Sequence, residues 1–152
     1  MAEPQRILLT GATGYIGAAT VGAFRAAGLV DRLTCVVRNA QRAAEAVELG
    51  ATRVAVLEDI MALPTLAAEF DCVINTVSPG GYDRELANIT ETVEALRAQG
   101  GGAYVHLSGT MCVGSTHGHD GAEAGEFTDW ADLVPFNPGR HPAEQACVAA
   151  HG

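Results

Sequence analysis

Residues 7–17 read Ile-Leu-Leu-Thr-Gly-Ala-Thr-Gly-Tyr-Ile-Gly, and the fold follows from how this stretch divides. Ile7, Leu8, Leu9 and Thr10 suit a buried strand. Glycines then fall at Gly11, Gly14 and Gly17, and an Ala-rich helical run extends to about Ala27. Gly11 suits a tight turn in which a Cβ would clash. Gly14 lets the main chain approach a pyrophosphate, and Gly17 lets the helix lie close on the strand. The N–H groups of the helix start, with the positive end of its dipole, attract an anion. A glycine triplet alone says little; a strand before it and a helix after it make it a phosphate cradle.

Outward from this stretch, strand and helix patterns alternate. Residues 33–37, 53–57, 72–76 and 104–107 are the next four expected strands. Residues 41–49, closed by Gly50, form the second expected helix, and 64–69 a short third one. Residues 83–99 form a long amphipathic helix ended by Gly100-Gly101-Gly102, and 142–150 a last one. Short apolar strands separated by helices fit a buried parallel sheet. Right-handed crossovers then give a Rossmann-type, doubly wound α/β fold with strand order 3-2-1-4-5. One domain is expected over residues 1–152, with 114–140 a long mobile loop rich in Gly, Asp, Glu and Pro.

Composition narrows the partners. Hydrophobic residues make up 48% of the 152, which excludes a disordered chain. A formal charge of −9 argues against nucleic acid and against an anionic membrane surface. No apolar run reaches the roughly 18 residues of a membrane span. Residues 1–6 lack the charged and apolar regions of a signal peptide, so the default location is cytoplasmic. Cys35, Cys72, Cys112 and Cys147 are scattered, and the first two fall in expected strands as buried reduced thiols. All nine cations are Arg; the chain has no Lys.

The run from Thr10 to Gly17 resembles the short-chain dehydrogenase/reductase superfamily, in its extended and atypical branches, which include the NAD-dependent epimerase/dehydratases. The resemblance implies a nicotinamide dinucleotide held by Gly11, Thr13, Gly14, Tyr15, Ile16 and Gly17. It also implies redox chemistry on a small carbonyl or alcohol substrate. The resembling family continues with a sixth strand and a substrate lobe. The expectation is therefore a C-terminally truncated member, whose strand 104–107 is an open apolar edge able to pair with another copy.

Further along, Arg38 ends the second expected strand. An acidic residue there binds the ribose hydroxyls of NAD, whereas Arg suits the 2′-phosphate of NADP, so NADP is the expected cofactor with NAD possible. Arg42 lies one helical turn on and can assist. Asp31 precedes the strand and is badly placed for a ribose. By resemblance, Asp59 and Ile60 lie over the adenine, Thr76 and Val77 pass the ribose and pyrophosphate, and Asn88 supports the active site from behind.

The family's catalytic set is Ser or Thr with Tyr-x-x-x-Lys on a helix. None of Tyr15, Tyr82 and Tyr104 has Lys four residues on. In residues 139–148 the aligned pair is His141 and Gln145, beside Glu144. Counting back from Gly114, the usual serine falls on Gly109, where Ser108 and Thr110 flank it and can stand in. Ser108, Thr110 and His141 are thus the catalytic candidates, His141 as an acid near neutral pH. A non-catalytic NADP-binding module and an inactive fragment stay open. His117-x-His119 with Asp120 offers metal-ligand chemistry, but such a pair in a loop more often binds nothing, and no metal is expected.

Overall fold

The computed structural model describes residues 4–108 and 141–150. Thr110, Cys112, the 114–140 loop and the His117–Asp120 group lie outside the described residues.

Five parallel strands form one sheet: β1 (Ile7–Thr10), β2 (Leu33–Val37), β3 (Arg53–Val56), β4 (Cys72–Asn75) and β5 (Ala103–His106), in the order β3-β2-β1-β4-β5. The expected α/β class and strand order are therefore observed. Ile7 pairs with Leu33 on one side and with Cys72 on the other, which places β1 in the middle. All four β1 residues are buried.

Because side chains alternate along a strand, β1 feeds two cores. Ile7 and Leu9 pack with Val21 of helix α1 (Tyr15–Ala26) and Ala46 of α2 (Ala40–Glu48). Leu8 packs on the opposite face with Leu63 and Ala67 of α3 (Leu63–Ala67) and Leu96 of α4 (Tyr82–Ala98). Helix α5 (His141–Ala149) lies on α4, with Ala143 against Ile89 and Val93. At the amino end of the sheet, Asp71 accepts from the Gln5 and Arg6 amides and from the Arg6 guanidinium at 2.6 Å.

Two expectations need correction. The sheet is not buried throughout: Val56 on β3 is about half exposed, because that strand is an edge among the described residues, while the half-exposed Val105 on β5 is in line with the open edge expected there. Strand β5 also begins one residue early, at Ala103, because the Ala103 amide bonds Asp71 O at 2.9 Å and sets the register. Cys35 and Cys72 are free, buried thiols as expected, and burial pushes Cys35 up to about 11.

Candidate functional site

The strand order reverses between β1 and β4, and a crevice opens where their carboxyl ends diverge. The turn after β1 fills its upper end. Gly11 has φ 69°, and a Cβ there would meet Thr76 Oγ1 at 2.6 Å and Val77 Cγ2 at 2.7 Å. Gly14 N–H closes the turn onto Gly11 O at 2.8 Å, and Gly14 is the N-cap of α1. No side chain caps that helix, and no acid lies in its first turn. Its leading N–H groups therefore face outward with their dipole unopposed. Gly17 is buried, and a Cβ on it would lie 2.0 Å from Gly11 O. The helix thus lies as close on the turn as a backbone allows.

Below this cradle, a cleft of about 470 Å³ follows the carboxyl ends of β1, β2, β3 and β4. It brings together Gly11, Thr13 and Gly14 with Arg38, Asp59, Ile60 and Val77, residues spread over much of the chain. Arg38 is exposed at the end of β2. Arg42 also lines the cleft, and its guanidinium pairs with Glu45. Tyr15 and Ile16 occupy the first turn of α1, where Tyr15 is 96% exposed, and neither lines the cleft.

The floor of the cleft is a buried hydrogen-bond network that the sequence reading missed. Thr10 Oγ1 donates to Asn75 Oδ1 at 2.6 Å and accepts from the Thr76 amide at 3.1 Å. Thr76 Oγ1 donates back to Thr10 O at 2.7 Å. Asn75 Nδ2 donates to the Tyr104 hydroxyl at 3.0 Å. Burial pushes the Tyr104 phenol up, against the Asn75 hydrogen bond that lowers it, so the ring stays neutral. These contacts fasten the ends of β1, β4 and β5 together and set where Thr76 and Val77 stand. A polar Asn closing an apolar strand was the available signal.

Two further residues join α4 to the turn after β3. Asn88 is fully buried and its Nδ2 donates to Ile60 O at 2.8 Å. Arg84, not anticipated from sequence, lines the cleft and pairs with Asp59 at 3.4 Å.

The catalytic candidates sit apart from these. Ser108 and His141 do not line the cleft. The Ser108 hydroxyl donates to Glu144 on α5, and Glu144 is buried with its Oε2 lacking a hydrogen-bond partner among the described residues. His141 opens the same helix, three residues earlier. Among the described residues, no cluster of His, Cys, Asp and Glu could hold a metal, and no helix is long and apolar enough to cross a membrane.

The sequence matches the NAD dependent epimerase/dehydratase family across residues 7–151. No curated protein matches it. Among solved structures, a Lactobacillus casei protein is 30% identical, with TM-score 0.50 over 65% of this chain and 47% of its own. UDP-glucuronic acid 4-epimerase from Bacillus cereus, solved with UDP-glucuronic acid and NAD, is 17% identical, with TM-score 0.66 over 96% of this chain and 52% of its own. Gre2 from Candida albicans, solved with NADPH, is 14% identical, with TM-score 0.63 over 97% of this chain and 52% of its own. The last two share the fold. The chain spans about half the length of these structures.

Proposed function

Because the chain belongs to the NAD-dependent epimerase/dehydratase family, we propose that residues 1–152 act as a nucleotide-binding domain. It takes a nicotinamide dinucleotide along the carboxyl edge of the sheet, in the service of redox chemistry on a small carbonyl or alcohol. The observation that carries this reading is the cradle itself. At Gly11 and Gly17 a Cβ would strike backbone or Thr76 and Val77, whereas at Gly14 it would meet only Gly11 O, at 3.2 Å, and otherwise stand open to the cleft. The 3.2 Å approach to Gly11 O is tight but not prohibitive, and a ligand lying close over the turn gives Gly14 a further reason to lack a side chain.

In this reading the N–H groups of Thr13, Tyr15, Ile16 and Gly17 face the pyrophosphate, while the Gly14 N–H stays bonded to Gly11 O and shapes the turn. Asp59 and Ile60 hold the adenine, and Thr76 and Val77 flank the nicotinamide ribose. Arg38 lines the cleft and has no ion-pair partner among the described residues, so its charge is available to a 2′-phosphate and favours NADP over NAD. The dinucleotide supplies or accepts a hydride. The protein's part is to orient the substrate oxygen through Ser108 or Thr110 and to move a proton at the His141 imidazole. Free Cys35, Cys72 and Cys147 fit a reducing, cytoplasmic setting.

A second reading, a NADP-binding module without turnover, is favoured by one observation. The chain has no Lys, so nothing supplies the charge that tunes a catalytic tyrosine. Calorimetric titration with NADPH and NADH tests the shared premise. Gly14→Ala should fold normally yet lose at least about tenfold in dinucleotide affinity, a cost of about 1.4 kcal/mol. Unchanged affinity in this variant would remove the cradle from the argument. NADPH oxidation over a panel of carbonyl compounds then separates the two readings.

A further inference from the structure

The Asp59 carboxylate is half engaged. Its Oδ1 accepts from the Met61 amide at 3.0 Å and faces Arg84 Nη2 at 3.4 Å. Its Oδ2 takes part in neither contact. Asp59 and Arg84 both line the cleft, and the Asp59 side chain is 67% exposed. Arg84 reaches it from the first turn of α4, 25 residues further along the chain. One helical turn beyond Arg84, Asn88 holds the Ile60 carbonyl. Helix α4 therefore grips the Asp59-Ile60 turn at two points, one on the main chain and one on the acid itself.

The three arginines of the cleft are not equivalent. Arg42 is committed to Glu45 and Arg84 to Asp59, while Arg38 has no ion-pair partner among the described residues. An exposed pair such as Arg84–Asp59 adds little to folding. Its effect falls on the orientation of one carboxylate, with Oδ1 turned to the protein and Oδ2 left for a ligand. An ionised carboxylate oxygen only accepts hydrogen bonds. At position 6 adenine offers an amino donor, whereas a 6-oxo purine offers a carbonyl acceptor there and moves its donor to N1.

We infer that Arg84 is a positioning residue that fixes the Asp59 carboxylate so that its Oδ2 selects a 6-amino purine over a 6-oxo purine at this end of the cleft. The inference rests on the dinucleotide reading above. Arg84 acts through Asp59 and does not touch the phosphates.

The test is calorimetric titration of the full chain with NAD, with nicotinamide hypoxanthine dinucleotide, and with NADP. The variants are Arg84→Met, Arg84→Lys, Asp59→Asn and the Arg84→Met/Asp59→Asn double variant, with circular dichroism to confirm folding. The wild type should prefer NAD over its hypoxanthine analogue. Arg84→Met should reduce that preference about three- to tenfold, as expected when a charge-assisted hydrogen bond loses its alignment. Arg84→Lys should retain most of it. Asp59→Asn should abolish it, and adding Arg84→Met to Asp59→Asn should change nothing further. Full preference in Arg84→Met overturns the inference. A loss in Arg84→Met greater for NADP than for NAD also overturns it, by making Arg84 a phosphate ligand. A wild type that binds none of the three overturns the dinucleotide reading itself.

Discussion

The same substitution, made twice on helix α1, should move stability in opposite directions. Gly17 and Gly22 both lie within Tyr15–Ala26, one buried and one exposed. Replacing either by Ala removes the cost of glycine in a helix, a gain of about 1 kcal/mol. At Gly22 a new Cβ meets nothing within 4 Å, so that gain should appear nearly whole. At Gly17 the Cβ would sit 2.0 Å from Gly11 O, 2.6 Å from Gly11 C and 2.8 Å from Ala12 Cα. All three are backbone atoms, so no side chain can swing away. Either α1 lifts by about an ångström or the turn after β1 deforms. Overpacking of this kind costs typically about 1–3 kcal/mol, and a backbone obstacle puts it at the upper end. The net expectation is a loss of about 2 kcal/mol for Gly17→Ala against a gain of about 1 kcal/mol for Gly22→Ala. For a chain of this length, that separates the midpoints of thermal unfolding by about 6–12 °C. Urea titrations of the two variants beside the wild type measure it. A Gly17→Ala protein as stable as Gly22→Ala would refute the claim that the helix rests directly on the turn.

Arg38→Ala should weaken NADPH binding about 10- to 100-fold and leave NADH nearly unchanged, because one charge-assisted bond is worth about 1.5–3 kcal/mol; equal losses for both would show that Arg38 does not read the 2′-phosphate. Thr10→Val should cost about 1–3 kcal/mol in urea unfolding, since it strips the Thr76 amide and Asn75 of a fully buried partner; a neutral result would mean the network does not hold the strand ends. Arg6 holds the Asp71 carboxyl below its ordinary range, chiefly through the side-chain hydrogen bond. A depressed folded-state value stabilises above the unfolded pKa of about 3.9 and is lost as pH falls through the folded value. Asp71→Asn should therefore lower stability at neutral pH and converge with the wild type in acid, measured as unfolding midpoint against pH.

The strand–turn–helix of residues 7–26 was legible because its determinants are neighbours in sequence. Gly11 and Gly17 meet obstacles only a few residues away or across one strand, and their spacing announces this. Positions decided by distant partners were not legible. Asn75 and Tyr104 bond each other at 3.0 Å across 29 positions, and nothing in either strand's own pattern announces the pair. The start of β5 depends on a bond to Asp71 O, and no pattern within residues 103–107 encodes it. The cleft-lining residues Arg38, Asp59 and Val77 were legible because each follows the carboxyl end of a strand, and all parallel strands end at one edge. Arg84 escaped because it lies on a helix, where facing the cleft depends on how α4 is rotated. The apolar positions of that helix fix its buried side and leave its polar side undivided.

The central place of β1 also sets a timetable for folding. Thr10 finds its partner Asn75 65 positions later, and Ile7 pairs with Cys72 across the same interval. A ribosome adding about 5–20 residues per second makes β4 some 3–13 s after β1. During that interval β1 can pair with β2, but its other edge waits with the Thr10 hydroxyl and Leu8 uncovered. Contacts of such long sequence separation form slowly. The segment that carries the glycine turn is therefore among the first made, yet its second edge stays uncovered until β4 arrives. A nascent chain paused before Cys72 should expose this edge to chaperones, whereas one paused beyond Asn75 should not.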